Sequence, residues 1–566
     1  MKINAIKIMA GLLAIYGPLN NLSAQTLDVH TGSVTYQFPA KQCGEMTYQD
    51  GTTLTIQNKT FVLSEIGSIT IDESEVTDNL VCINYEGTTA TVTVAGNVAR
   101  YVTPTVNGAH VNITQSNTEA INGDEITYQL SGTTTNGSFA LDGSYKCTIT
   151  LDGVKLTNPS GAAININNSK RIQISAKKGT ENTLTDGANG SQKGCLYSKG
   201  QIQLQGNGTL NIVGNTKHGI KSGDYIAVKN LTLSITKAVS DGISCNKYFE
   251  MRSGTVSISG IGDDGIQTDL EEDDETTGET EEHEDENSAN VYIEGGTLNI
   301  TNSASGGKGI KATGGVNISD GTIDITVTGS NIKSGTNTTA AKGIKADGNI
   351  TISGGTVKAT ASSHEAIESK STMTITGGTV YAFSTSDDAI NSASHMYLKG
   401  GTVSGISNGN DGIDSNGNMY ISGGTILACG ARQPECGLDA AERYALYITG
   451  GTVLGIGGGN NTVTSTTGSQ CVVSTTGTVT AGNTVSVKSG STTLASFTVP
   501  TGYSPSSSGG GGGRPGGGPG GGPGGGTSSS FSYLLSCPSL TSGNSYTITI
   551  GSNSSTVKAS TSYSSR

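Results

Sequence analysis

The sequence predicts an all-β chain: a right-handed parallel β-helix of about 23 residues per coil, with a small N-terminal β module and a C-terminal β cap. Three observations predict it. The first is a repeat. The block DGI or a close variant recurs at Gly219, Gly242, Gly265, Gly309, Gly343, Ala366, Ala389, Gly412 and Gly437, and five of the eight intervals are 23 residues. A second marker, GGT plus an aliphatic residue, keeps the same step at Gly355, Gly378, Gly401 and Gly424. A fixed period of this size marks a stacked, quasi-one-dimensional fold. The second observation is period-2 alternation in three short apolar pieces per repeat, with Gly and Asn at the corners. The third is that helical spacing is absent.

Stacking places like residues above one another, about 4.8 Å apart. One interior ladder then comprises Ile220, Ile243, Ile266, Ile310, Ile344, Ile367, Ile390, Ile413 and Leu438. Val357, Val380, Val403 and Ile426 form a second. Met373, Met396 and Met419, with Ile375, Leu398 and Ile421, supply the third side. No repeat buries its apolar side alone, so neighbouring coils stabilise each other. The small residue before each Ile suits a tight corner.

In chain order, residues 1–24 read as a secretory signal: Lys2 and Lys7 flank an apolar run, and Ser23 and Ala24 precede the expected cut. No later stretch approaches the roughly 20 apolar residues of a spanning helix. A secreted or cell-surface protein is expected. Residues 25–91 are strand-rich without the period and read as the N-terminal module. The β-helix is expected over 92–485, with KGCLYSKG placed in register by the step of 25 from Gly194 to Gly219. An acidic loop interrupts it at 270–290. The cap is expected over 486–566, split by a Gly/Pro/Ser-rich tether at 505–530 whose Pro spacing of four is not collagenous. The net charge of −13 is concentrated: residues 271–286 hold 11 acidic residues, so the rest carries −13 + 11 = −2. Nothing supports nucleic-acid binding. Of nine cysteines, Cys429 and Cys436 flank a short loop, and a disulfide is expected between them.

Aligned on DGI, two columns carry the chemistry. The residue before the small corner runs His218, Asp241, Asp264, Lys308, Lys342, Glu365, Asp388, Asp411, Cys436. The residue after Ile runs Lys221, Ser244, Gln267, Lys311, Lys345, Glu368, Asn391, Asp414, Asp439. With Ile inward these residues point outward, and the expectation is a polar stripe on one outer face. Carboxylates gather at Asp241, Asp263, Asp264 and Asp269, and again at Asp387, Asp388, Asp411, Asp414 and Asp439. Such charges repel unless neutralised, and Ca²⁺ takes six to eight oxygens, with Asn391 adding a neutral one. The alternative is a solvated ladder neutralised by Lys308, Lys311, Lys342 and Lys345. These lysines explain the middle of the stripe but not the second carboxylate group.

The runs HGIKSGDYIAVKNLTLSIT, SDGISCNKYFEMRSGTVSIS, DDGIQTD and NDGIDSNGNMYISGGTI resemble a family of secreted, calcium-binding carbohydrate-binding β-helix proteins, related in fold to the family 9 polysaccharide lyases. The resemblance spans roughly 161–453. It implies recognition of acidic polysaccharide such as polygalacturonate, and also of cellulose. It implies calcium at Asp241, Asp264, Asp269, Asp388, Asp411, Asp414 and Asp439. Lys308 and Lys342 depart from the acidic column, which argues against calcium there. Those lysines, with Lys311 and Lys345, are candidates to pair with uronate carboxylates. Tyr381, Tyr397, Tyr420 and Tyr447 are open to sugar stacking or to a structural ladder. The expected protein is a binder of polysaccharide and not an enzyme. The alternatives are a uronate lyase using one of the lysines as base, and a structural or adhesive surface protein.

Overall fold

The computed structural model describes residues 25–43, 46–270, 287–506 and 530–564. The expected signal segment, residues 271–286 of the acidic loop and residues 507–529 of the tether lie outside them. The fold is an all-β parallel solenoid of about 13 turns, at about 25 residues per turn. No described helix is long and apolar enough to cross a membrane. The chain divides into two compact units: one holds the chain up to Val239 with Ser244–Asn246, the other Ser240–Ile243, Lys247–Leu270 and the chain from Asn287.

In the first unit, Thr26–Thr31 lies between Val34–Pro39 and Ser68–Asp72, antiparallel to both. A three-stranded antiparallel sheet, Thr47–Gln49, Thr53–Ile56 and Lys59–Val62, completes the N-terminal module. Val34–Pro39 also runs parallel to Thr89–Ala95, and Leu80–Glu86 runs parallel to Ile126–Thr134, which in turn runs parallel to Cys147–Asn158. An interior ladder of Phe139, Ile164, Leu196 and Ile220 follows, at steps of 25, 32 and 24 residues. These longer steps raise the mean above the period of the later repeats. They also correct the expected register: Leu196 pairs with Ile220, so Cys195, not Gly194, stands in the small-residue place.

The second unit shows the three-sided coil most regularly. Ile266, Ile310, Ile344, Ile367, Ile390, Ile413 and Leu438 stack in one ladder. Ile350, Met373, Met396 and Met419 stack in the next, and Val357, Val380, Val403 and Ile426 in the third. All of these side chains are buried, each worth about 1.5–3 kcal/mol on leaving water. The corner between the second and third sides is set by the second Gly of GGT. Gly355, Gly378, Gly401 and Gly424 have φ between 73° and 83°, a region that side-chain-bearing residues rarely adopt.

The last coil strand, Leu446–Gly457, pairs antiparallel with Phe531–Ser536. Beside it, Thr484–Ser489, Thr492–Thr498, Ser545–Ile550 and Asn553–Lys558 form a four-stranded antiparallel sheet. Phe497, Tyr503, Phe531 and Tyr533 pack under this cap with Ile406 and Ile456. The open edge of the parallel stack is thereby covered.

The expected disulfide does not form, and all nine cysteines are free. Cys429 stacks between Ile406 and Ile456 in the apolar core. Cys436 lies at the next corner, where Asp439 and Asp411 face its thiol. The two sulfurs serve different neighbourhoods.

Candidate functional site

The strand after each corner is only three residues long, as in Ile390–Ser392, Ile413–Ser415 and Leu438–Ala440. Its middle residue faces away from the core. The register stacks Gln267, Lys311, Lys345, Glu368, Asn391, Asp414 and Asp439 in that order. Beside this column runs the one formed by the residues before the corner. The expected solvated outer stripe is corrected here: Asp264, Lys308, Lys342, Glu365, Glu368, Asp388, Asn391, Asp411 and Asp414 are buried. The strands are too short to splay their side chains, so the two columns bank against each other and against the flanking turns. Asn391 Nδ2 shows this, donating to Asp388 Oδ2 and to Asp414 Oδ2, each at 2.9 Å.

The charges balance along part of this trough. At one end Asp241, Asp263 and Asp264 bring carboxylate oxygens within 4.8 Å of one another. Asp264 has Lys311 Nζ at 3.5 Å and Lys308 Nζ at 3.9 Å. Burial still pushes its pKa up to about 6 against those lysines. Asp269, expected in this group, is exposed and takes its bond from Gln267 instead. In the middle, Lys342 pairs with Glu365 and Glu368, and Lys370 also reaches Glu368. Lys345 pairs with Asp347. Lys308 and Lys342 are therefore buried and committed, whereas Lys311 and Lys345 are half-buried. Next, His364 Nδ1 meets Glu365 and Asp387. Burial opposes charge on His364, but the bonds to Asp387 and Glu365 prevail and push its pKa up to about 9. The same pairing holds Asp387 below its ordinary range despite burial.

Beyond His364 the balance fails. Asp411, Asp414 and Asp439 place carboxylate oxygens within 4.8 Å of one another. Among the described residues no Lys, Arg or His lies within ion-pairing distance of Asp388, Asp411, Asp414 or Asp439. Their neutral partners are Asn391, Asn416 on Asp414 at 3.2 Å, Asn461 on Asp439 at 3.3 Å, the backbone N–H of Asp411 on Asp388 at 3.0 Å, and the backbone N–H of Cys436 on Asp411. Burial, then the neighbouring carboxylates, push Asp414 up to about 8 and hold Asp388 and Asp411 well above the usual range. The three amides turn their Nδ2 groups toward the carboxylates, so the oxygens this cluster offers a hard cation such as Ca²⁺ are those of the three carboxylates.

The family of carbohydrate-binding domain-containing proteins matches residues 107–389, half of this chain. The chain belongs to that family. A carbohydrate-binding domain-containing protein of Acetivibrio thermocellus is 31% identical over 103 residues, which is 16% of this chain and 36% of the relative. The chain thus spans about a third of the length of the curated relative it matches. Among solved structures, a gadolinium derivative of the polysaccharide lyase-like protein from C. thermocellum is 21% identical with a TM-score of 0.36, covering 48% of this chain and 95% of that one.

In this family member the tyrosines form a structural ladder. Tyr397, Tyr420 and Tyr447 stack face to face with centroids 5.1 Å apart. His395 meets Tyr397 and Tyr420 edge-on. Both faces of Tyr420 are covered by its neighbours, and Lys399 Nζ lies 5.1 Å from the centre of the Tyr397 ring. Tyr381 lies apart, against the core under the cap. The residue that sequence reasoning missed is His364. It belongs to a third column, two places before the small residue: Asp263, His364, Asp387, Asn410 and Glu435. The step of 23 from 364 to 387 to 410 was its signal.

Proposed function

We propose that this protein is an exported carbohydrate-binding protein that holds Ca²⁺ at Asp411, Asp414 and Asp439, beside Asp388 and Asn391, and uses the ion to take the carboxylates of an acidic, polygalacturonate-like polysaccharide. The observation that carries the reading is the row of buried carboxylates without a cationic partner, in a trough whose other carboxylates are neutralised by Lys308, Lys311, Lys342 and His364. A bound divalent ion relieves the repulsion and leaves coordination positions for uronate oxygens. Lys311 and Lys345, half-buried beside the same columns, offer charge to further uronates. Family membership supports carbohydrate as the ligand class. The rung spacing also suits a chain laid along the solenoid, since one rung rises by about 4.8 Å, close to the length of one sugar in a 1,4-linked polymer.

Binding without cleavage is the reading favoured over a lyase. A base that takes the proton α to a uronate must be accessible and able to lose its own proton. Lys342 is buried, and Glu365 and Glu368 outweigh burial to raise its pKa. The test is calorimetric titration of Ca²⁺, followed by polygalacturonate binding with and without chelator. Wild type should bind both, and chelator should abolish the polygalacturonate signal. Binding that survives chelator unchanged would overturn the calcium bridge.

A further inference from the structure

The first unit carries a concave groove that the reading above does not use. Its volume is about 490 Å³, within the roughly 300–1,000 Å³ of small-molecule sites. It is lined by Asp78, Asn79, Asp124, Glu125, Thr127, Thr148, Arg171 and Gln173, with Gly123 at its rim. The lining is polar throughout, yet its parts are differently committed. Arg171 is buried and fixed by an ion pair to Glu125, with Lys146 Nζ at 4.0 Å from the same carboxylate. Asn79 is buried and donates to the Ile121 carbonyl at 2.8 Å. These groups make a rigid back wall.

The floor is different. Thr127, Thr148 and Gln173 occupy matching places on three adjacent parallel strands. Among the described residues, the side chains of these three make no hydrogen bond to the protein, and Asp78 and Asp124 have no ion-pair partner. The groove therefore presents a row of hydroxyl, hydroxyl and amide groups at one strand spacing, flanked by two open carboxylates and a fixed guanidinium. Planar side chains and carboxylates pair with vicinal hydroxyls by bidentate hydrogen bonding. With Glu125 answered by Arg171 and Lys146, the open carboxylates of Asp78 and Asp124 still leave the groove negative, which repels uronates.

We infer that this groove is a second, calcium-independent carbohydrate site that takes one or two residues of an uncharged sugar chain. The experiment uses the full chain in excess chelator, titrated with cellohexaose, xylohexaose and mannohexaose in turn. At least one should bind. Thr148→Ala combined with Gln173→Ala should weaken that binding by about tenfold or more, or about 1.4 kcal/mol, at unchanged melting temperature. Asp414→Asn should leave it intact. The inference is overturned if none of the three binds wild type, if the double variant binds as wild type does, or if Asp414→Asn removes the binding. Calcium-dependent polygalacturonate binding in the double variant reports on the other site separately.

Discussion

Asp414 accepts hydrogen bonds from Asn391 and Asn416 and faces Asp411 and Asp439 without a cation. Asp347 is exposed and pairs with Lys345. The two therefore respond differently to metal. A ligand that binds only the folded state stabilises by RT ln(1 + [L]/Kd), about 2.7 kcal/mol at a hundredfold excess over Kd. Calcium should raise the melting temperature of wild type and of Asp347→Ala alike, and should raise that of Asp414→Ala much less. In chelator at pH 9, above the raised pKa of about 8, Asp414→Asn should melt no lower than wild type, because there it removes a buried charge that faces other carboxylates. Thermal melts with calcium and with chelator check both outcomes. Equal calcium responses in the two alanine variants would count against the trough as the ion's place.

At the scale of the coil, two features dominate. Lys342 ties Glu365 and Glu368 across neighbouring rungs, and all three are buried. Removing one partner of a buried pair strands the others, at a cost of about 3–5 kcal/mol. Lys345 with exposed Asp347 is a surface pair worth about 0–1 kcal/mol. Lys342→Ala should therefore lower the denaturant midpoint far more than Lys345→Ala. The second feature is the corner. At Gly401, φ is +77° and an added Cβ would stand 2.6 Å from the Gly378 carbonyl. Gly401→Ala should cost at least about 1–3 kcal/mol, read from the same unfolding curves.

For the molecule as a whole, the raised carboxylates set a pH dependence. Asp414 moves from an ordinary 3.8 to about 8, so the folded state holds its proton more tightly than the unfolded state. That contribution to stability is fully present below pH 4 and is lost as pH rises through 8. His364, raised from 6.5 to about 9, adds stability that is present below 6.5 and lost through 9. Both act in the same direction. In chelator the melting temperature should fall between pH 6 and pH 9, and saturating calcium should flatten the carboxylate part of that fall by replacing protons. A chelated protein that grows more stable over that range would contradict the charge balance described here. Incubation with polygalacturonate should yield no unsaturated product absorbing in the ultraviolet. Product that vanishes on changing Lys311 or Lys345 to Ala would restore the lyase reading.

The coil architecture was legible because a solenoid writes its geometry into a period. Ile at one place, GGT at another and Met or Ile between them each mark one side, and the same three residues recur on every rung. The columns of the trough were legible for the same reason: a step of 23 brings Asp388 over Asp411 and Asn391 over Asp414 without any further folding information. Where the step drifts, as from Ile164 to Leu196, the sequence misplaced Cys195 by one residue, because the period was the only ruler. Burial was not legible. Outward direction follows from alternation, but whether an outward side chain meets water depends on how far the flanking turns rise beside a three-residue strand. The partners that decide charge were also set by tertiary structure. His364 reaches Asp387 across a rung, and Asp269 is left outside its expected cluster. The groove of the first unit was hidden for the same reason. Asp78, Asp124, Thr148 and Arg171 share no period, and only the packing of separate strands brings them to one wall.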